Sequence, residues 1–158
     1  MQEIQYLTFK ISEEVFGLGI LHIKEIIEYE SITHVPMMPD YIPGVINLRG
    51  HVVPVLDLNH RFYKKSSELN RKTCIIITEI QLEKENIDVG LLVDSVNEVV
   101  DIPDDSIEDA PSFGNKIRLD FIAGLGKIES QFVIILRLDK ILNLEEFQQI
   151  HEKSTTMN

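Results

Sequence analysis

The residue types that most often hold metals or carry out catalysis are scattered along this chain of 158 residues. Its five histidines fall in different predicted elements, none at the spacing of a metal-ligand pair, and Cys74 is the only cysteine. Zinc sites in proteins join several His and Cys ligands at short spacings. We therefore predict neither a metal site nor a cofactor. The histidines are His22, His34, His51, His60 and His151.

Asp57 is the best candidate for a catalytic carboxylate, since it ends the apolar run VPVL. An aspartate at the end of a strand more often accepts hydrogen bonds in a turn, and we favour that interpretation. No serine stands in a nucleophile elbow, and no glycine loop precedes a helix in phosphate-binding form. Because the sequence assembles no acid, base and nucleophile, we predict that the protein is not an enzyme and has no catalytic residues.

Arg49 points to binding rather than catalysis. It lies in the polar break NLRG of residues 42–58, which read IPGVINLRGHVVPVLDL. Such a break predicts a tight connection between two buried strands, with Gly50 supplying a backbone conformation that other residues rarely adopt. Arg49 would then project from the tip of a rigid sheet and offer its planar guanidinium to a partner's carboxylate. The simpler interpretation is a local salt bridge to Glu25.

Much of this stretch occurs twice in the chain. A shift of 80 positions lays residues 41–45 over 121–125 and 52–58 over 132–138, and a shift of 73 lays 16–27 over 89–100. We interpret this as the duplication of a unit of about 75 residues within a single domain spanning residues 1–158. The first repeat would cover about 14–62 and the second about 87–142. The repeats differ at the polar break, where Glu129 replaces Arg49, so we expect an added function in the first.

The charge of the chain disfavours some classes of partner. With 26 acidic and 15 basic residues, its net charge is −11, which argues against nucleic acid and anionic membranes. No apolar run approaches the roughly 18 residues of a membrane span, and the amino terminus lacks the basic start and cleavage site of a signal peptide. We therefore expect a cytoplasmic protein without direct membrane insertion, in which Cys74 is a small buried residue.

Alternating apolar residues and closely spaced turns predict an all-β body, which we assign to two small barrels. Besides the two strands around the polar break, strands are expected at residues 7–11, 15–20, 73–78, 89–93, 96–100, 117–122 and 132–138.

Two helices are also predicted. A short one begins at Leu21, because Ile20, Ile23, Ile26 and Ile27 would share one side of it. The other covers about 139–151 at the end of the chain. We expect a solvated loop at 59–72, a charged hairpin loop at 81–86 and the glycines of FIAGLG between the last two strands.

The spaced motifs resemble those of the CheW family of bacterial chemotaxis coupling proteins. The family's central motif is similar to GVINLRGHVVPVLDL, and its first strand and helix are similar to EVFGLGILHIKEII. The later motifs are DVGLLVDSVNEVVDI, FIAGLG and FVIILRLDKIL. The resemblance covers residues 5 to about 145 and implies two intertwined five-stranded SH3-like barrels.

The resemblance also implies a non-catalytic adaptor that couples the cytoplasmic tip of a methyl-accepting chemoreceptor to the regulatory domain of the histidine kinase CheA, in signal transduction and array assembly. The adaptor would lie at the membrane only through its partners. The positions that match the receptor-binding groove are Leu7, Ile20, Ile23, Glu25, Ile26, Arg49, Val96 and Val100. Those that match the kinase surface are Glu108 and Phe113.

The main alternative is a generic SH3-like interaction module of another two-component or surface-sensing pathway. Such a module predicts aromatic residues along a proline-binding groove. The chain has no Trp, and its aromatic residues are scattered along strands, which disfavours this alternative. An enzyme would require a deep polar pocket with perturbed ionisable groups.

Overall fold

The computed structural model of the protein describes residues 4–82, 84–110 and 119–141. Strands dominate it, with two short helices, α1 (Leu58–Tyr63) and α2 (Leu138–Ile141). The described strands are β1 (Gln5–Ile11), β2 (Glu14–Gly19), β3 (Ile23–Glu28), β4 (Gly44–Leu48), β5 (His51–Asp57), β6 (Cys74–Leu82), β7 (Glu85–Val93), β8 (Ser95–Asp101), β9 (Ile107–Glu108), β10 (Ile122–Ile128) and β11 (Gln131–Leu136).

The strands form two curled sheets of equivalent order. One sheet runs β8-β1-β2-β11-β10-β9 and the other β3-β6-β7-β5-β4. In both, a hairpin from one half of the chain lies between strands of the other half. The two-residue β9 pairs with β10, and a bridge between Thr33 and Val45 takes its place in the second sheet. The predicted all-β fold is confirmed: in place of two five-stranded barrels, the described strands form two curled sheets, one of five strands and one with the short sixth strand β9.

Parallel pairing joins the two halves of the chain within each sheet. Strand β5 pairs with β7 through Val55 and Gly90, and β11 pairs with β2 through Ile135 and Gly17. The other pairings between the described strands are antiparallel. The largest buried cluster draws on both halves. It includes Phe9, Phe16, Leu56, Phe62, Leu91, Phe121 and Leu136.

A pair of equivalent backbone hydrogen bonds marks the duplication in three dimensions. Asp57 N donates to Tyr41 O at 2.8 Å, and Arg137 N donates to Phe121 O at 2.8 Å. Between these sites lies the buried Arg61 of α1, whose guanidinium carbon is 4.1 Å from the Tyr41 ring centre and 4.9 Å from that of Phe121. Because cations bind the faces of aromatic rings, Arg61 ties the equivalent segments of the two halves together.

The helix predicted from Leu21 is wrong. A short 3₁₀ turn covers Ile20–His22, and residues 23–28 form β3, an outer strand paired with β6. Its β-branched isoleucines favour an extended strand. Hydrogen bonding to β6 then stabilises that strand over the helix that the spacing of the apolar residues predicts.

The loop predicted at 59–72 is also partly wrong. Its first residues form α1, because Asp57 accepts hydrogen bonds from Asn59 N at 3.0 Å and His60 N at 3.4 Å and so caps the helix. Phe62 is buried on its inner side.

Smaller differences concern strand ends. The β6–β7 ladder runs to Leu82 and Glu85, so the hairpin loop is shorter than predicted. Gly124 and Gly126 lie inside β10 rather than between strands, and the segment before it forms a 3₁₀ turn at Leu119–Phe121. The predicted terminal helix begins as α2, but residues 142–151 lie outside the described residues. In the described part of the chain no helix has the length and apolar character needed to cross a membrane.

Gly44 offers a direct test of this architecture. A Cβ at Gly44 would lie 1.9 Å from the carbonyl oxygen of Thr33, which accepts a hydrogen bond from Val45 N at 2.9 Å. We expect Gly44→Ala to lower the free energy of unfolding in urea by about 1 to 3 kcal/mol, as overpacked substitutions do. The control is Gly50→Ala, where the Cβ meets nothing within 4 Å and only the positive φ opposes it. An equal loss in both variants would contradict the contact.

Candidate functional site

The predicted hairpin around the polar break is present. Strands β4 and β5 pair from Gly44 and Val55 to Leu48 and His51, which leaves a two-residue turn. Arg49 and Gly50 both adopt positive φ, 50° and 85°, as the favoured tight hairpin turn requires. The Asn47 side chain accepts a hydrogen bond from Gly50 N at 2.8 Å. The turn is therefore fixed by its own residues, and it holds Arg49 at the tip of the sheet.

Arg49 forms a two-pronged ion pair with Glu25. Its Nη1 and Nη2 donate to Oε1 and Oε2 of Glu25, both at 2.7 Å. Hydrogen bonding to the guanidinium lowers the pKa of the Glu25 carboxyl, and the reciprocal bond raises the pKa of Arg49. The arginine side chain remains 70% exposed and that of Glu25 28%. The local salt bridge expected from the sequence exists, and it leaves the guanidinium accessible from outside.

The ion pair spans the open side of the five-stranded sheet. Glu25 lies on β3 and Arg49 beside β4, the two outermost strands. A bulge in β3 between Ile23 and Glu25 shifts the register against β6. Bulges redirect the side chains that follow them, and this one accompanies the turn of Glu25 towards Arg49.

The second sheet repeats the backbone of this site without its charge pattern. Glu129, in the turn between β10 and β11, has a φ of 54°, matching that of Arg49. The position equivalent to Glu25 is Glu98 on β8, which lies within a register shift against β1. Both equivalent positions are therefore acidic, and the fold itself does not require a cation at the turn.

The apolar positions predicted for the groove differ in exposure. Ile20, Ile23, Val96 and Val100 are half-buried, and Ile26 is 42% exposed. Leu7 is only 4% exposed and belongs to the central core, because β1 is covered by β2 and β8 on its sides and by the core on one face. Leu7 is therefore a core residue with little surface to offer a partner, and its contribution to the predicted groove stays a prediction.

Val99 is an exposed apolar residue beside the predicted groove positions that the sequence reasoning did not single out. Val99 on β8 is 53% exposed, and a shift of 73 positions lays Ile26 of β3 over it. Both belong to the outermost strands of their sheets. The repeat was a signal that could have found Val99. Ile23 and Val96, also equivalent, pack against the same central cluster, so the inner residues of the two outer strands share one support.

Of the two residues predicted for the kinase surface, the structure describes only Glu108. Glu108 lies on β9 and is exposed, and it pairs with Leu125 at the far edge of the six-stranded sheet. Phe113 lies outside the described residues. The acidic side chains near Glu108 are all exposed: Asp104, Asp105 and Asp109.

Lys24 and Arg49 both line an open concavity beside the five-stranded sheet. This concavity, of about 820 Å³, extends along the start of β5 and the β6–β7 hairpin. Lys24 Nζ lies 3.0 Å from Asp88 Oδ1 and 3.5 Å from Glu79 Oε2. Hydrogen bonding to Asp88 raises the pKa of Lys24. The lysine therefore already has carboxylate partners.

Asp57 is confirmed as a capping residue. Besides the α1 backbone, it accepts hydrogen bonds from the backbone and hydroxyl of Ser67 at 2.9 and 2.6 Å.

Burial raises the pKa of the half-buried Cys74 thiol, and nearby Glu28 adds to the shift. Among the residues described, no three His, Cys, Asp or Glu side chains converge in a way that could hold a metal ion.

Comparison with known proteins gives consistent matches. The family model described as CheW-like domain matches residues 5–146. Over 142 residues the chain is 31% identical to the chemotaxis protein CheW of Klebsiella aerogenes, covering 90% of this chain and 83% of that one. It is 32% identical to the chemotaxis protein CheW of Bacillus subtilis, with coverages of 90% and 88%. The crystal structure of the scaffolding protein TtCheW from Thermoanaerobacter tengcongensis matches with a TM-score of 0.78 and 34% identity over 90% of each chain.

Proposed function

The chain belongs to the CheW-like family and has the role of a chemotaxis adaptor and scaffold, and we propose that it links the cytoplasmic tip of a chemoreceptor to the regulatory domain of the histidine kinase CheA. The family couples receptors to this kinase in general. In our proposal the chain is non-catalytic and acts by binding. It lies on the cytoplasmic side of the membrane and reaches receptor arrays through its partners.

The observation that carries the receptor assignment is the exposed Arg49–Glu25 pair beside the outer strand β3. Glu25 uses two of the five guanidinium N–H donors, so the remaining donors are available to a carboxylate of a partner. Because the turn is rigid and Arg49 is already oriented by Glu25, little side-chain freedom is lost on binding. We infer that a carboxylate on the receptor helix binds Arg49.

Apolar contact is the second part of the proposed receptor surface. Ile26 and Val99 expose apolar side chains on β3 and β8, and the half-buried Ile23, Val96 and Val100 lie on the same strands. Partly buried apolar side chains with a charged rim are typical of the centre of a protein interface. An amphipathic receptor helix could bury its apolar residues there and pair its carboxylates with Arg49.

We assign the kinase to the opposite edge of the six-stranded sheet. Glu108 is exposed there on the short terminal strand β9, among other acidic side chains. A negative surface attracts a basic partner surface and speeds association. Phe113, five residues further on, would supply the aromatic anchor of this interface.

The alternative of a generic SH3-like peptide-binding module is not favoured. Recognition of proline-rich peptides requires an aromatic-lined groove. Of the large apolar side chains exposed in the described parts of the chain, Phe132 alone is aromatic. Co-sedimentation with a receptor cytoplasmic fragment and with CheA, together and separately, tests the adaptor proposal. Failure to join either partner would overturn it.

The role of Arg49 is tested by changing its charge and its shape. We expect Arg49→Glu to lower receptor affinity by at least about 100-fold, because like charges across an interface are strongly unfavourable. Arg49→Lys should weaken binding by about tenfold, since lysine cannot form two parallel bonds. Neither variant should shift the melting temperature by more than a few degrees, because the pair is exposed.

Glu129→Lys is the matched control for Arg49, because it changes the charge of the equivalent turn in the other sheet. It should leave receptor affinity unchanged. Normal binding by folded Arg49→Glu, or unfolding of that variant, would refute the assignment.

Ile26 tests the apolar part of the surface. Replacement by Glu places a charge where the receptor helix would exclude water, and we expect receptor affinity, measured by titration calorimetry, to fall by at least about tenfold. Leu69→Glu serves as the control, because Leu69 is 52% exposed against 42% for Ile26 and lies in the connection between α1 and β6 rather than on β3. An equal effect of both substitutions would argue against a groove along β3.

The kinase surface is tested through its aromatic residue. We expect Phe113→Ala to weaken CheA binding by about tenfold or more and to leave receptor affinity unchanged, since truncated interface anchors act on their own partner. Phe132→Ala removes an aromatic side chain that is 49% exposed elsewhere and is the control. Unchanged CheA binding by Phe113→Ala would remove this residue from the interface.

A further inference from the structure

Asp94, the residue immediately before β8, is held by three hydrogen bonds from other elements. Its Oδ2 accepts from the backbone N of Ser12 at 2.8 Å, and its Oδ1 accepts from Nδ2 of Asn59 at 2.7 Å. Its own backbone N donates to the carbonyl oxygen of Lys10 at 3.0 Å. The start of β8 is thereby fixed both to the β1–β2 turn and to α1.

Asn59 is the centre of this network. It is 5% exposed, and its Nδ2 also donates to Ser67 Oγ at 2.9 Å, while its Oδ1 is hydrogen-bonded to the hydroxyl of Ser12. Ser67 in turn donates to Asp57 at the end of β5. A continuous chain of hydrogen bonds therefore connects the end of β5 with the start of β8. Asn59 and Asp57 are buried, Ser67 and Asp94 are half-buried and Ser12 is exposed. The buried Asn59 amide fixes the geometry, because it would be costly to leave unsatisfied.

Helix α1 does not need the Asn59 side chain for its own formation, since Asp57 provides the cap. At the equivalent position of the second repeat, α2 carries Asp139, which is exposed. The duplicated fold therefore forms the same short helix without an asparagine there. The buried Asn59 side chain has a role specific to the first repeat, and its partners lie at the start of β8.

Strand β8 depends on such an anchor because it is an outer strand. Within the described chain its only strand partner is β1, and a register shift between Leu7 and Phe9 interrupts that pairing. At the shift, Thr8 Oγ1 bonds the backbone of Glu98, donating to its carbonyl oxygen at 2.8 Å. A strand with one interrupted ladder has its orientation set by its ends and by such bonds.

We propose that Asn59 is a positioning residue that fixes the start of β8 and so places the apolar side chains of Val96, Val99 and Val100 for the receptor. The part of this inference that concerns receptor affinity rests on the proposed receptor surface. The part that concerns the position of β8 does not depend on it. Asn59 is buried outside the proposed receptor contact and reaches β8 through Asp94, directly and by way of Ser12. Its loss should therefore loosen β8 selectively and weaken receptor binding without affecting binding of CheA.

The decisive variant is Asn59→Asp, which replaces the donor to Asp94 with a carboxylate that repels it. We expect amide hydrogen exchange of β8 to accelerate by at least about tenfold, while the amides of β6 and β7 exchange at the same rate as before. Receptor affinity should fall by about tenfold. Adding Asp94→Asn restores a donor–acceptor pair with the charges exchanged, and the double variant should recover most of both losses.

Two further variants supply an uncharged replacement of Asn59 and a matched control in the second repeat. Asn59→Ala removes the hydrogen bonds without adding charge and is measured in case Asn59→Asp does not fold; the same selective change in β8 is expected. Asp139→Asn changes the equivalent position of α2 and should alter neither exchange nor binding.

The proposal is overturned if β8 exchanges normally in a folded Asn59 variant, if exchange rises equally in all strands, or if Asp94→Asn rescues neither property. If the unmodified protein binds no receptor, the proposed function fails, while selective exchange in β8 still decides the positioning role.

Discussion

The fold depends on two parallel strand pairings, β5 with β7 and β2 with β11. Through them, a hairpin from each half of the chain is inserted into the sheet of the other half. Gly90 faces Val55 in one pair, and Gly17 faces Ile135 in the other. A Cβ at Gly90 would lie 2.7 Å from a side-chain atom of Ile75, and one at Gly17 would lie 2.9 Å from Val133. The two glycines leave room for side chains of the smaller buried clusters, Ile75 and Val55 in one and Val133 in the other, to pack directly over the paired strands.

This exchange also determines which strands lie at the edges of the two sheets. With β6–β7 and β1–β2 in the interior of the sheets, β3 and β8 become outer strands, and each exposes one apolar residue at equivalent positions. The charges at the two turns differ, because Arg49 is paired with Glu25 while Glu129 and Glu98 are both acidic. The duplicated scaffold thus carries an arginine at only the first of its two equivalent turns.

The sequence predicts those features that depend on neighbouring residues or on the repeat. The turn at Arg49 and Gly50, the cap at Asp57 and the strand over residues 95–101 were all predictable from local patterns. Residues 23–28 were not, because the isoleucine spacing fits a helix and only pairing with β6 decides for a strand. The network of Ser12, Asn59 and Asp94 joins positions 35 to 82 residues apart, which no local pattern brings together.

The exchange of hairpins has a consequence for synthesis on the ribosome. The β1–β2 hairpin is made first, but its parallel partner β11 ends at Leu136, almost the whole chain later. At about 5 to 20 residues per second this is a delay on the order of ten seconds. During that time the edge of β2 lacks its native partner strand, and Phe9 and Phe16 lack their contact cluster with Leu136 of β11. Neither half of the duplicated sequence can complete its barrel alone. Until the second half emerges, the unpaired edge of β2 is open to pairing with strands of other chains, which is a route to aggregation.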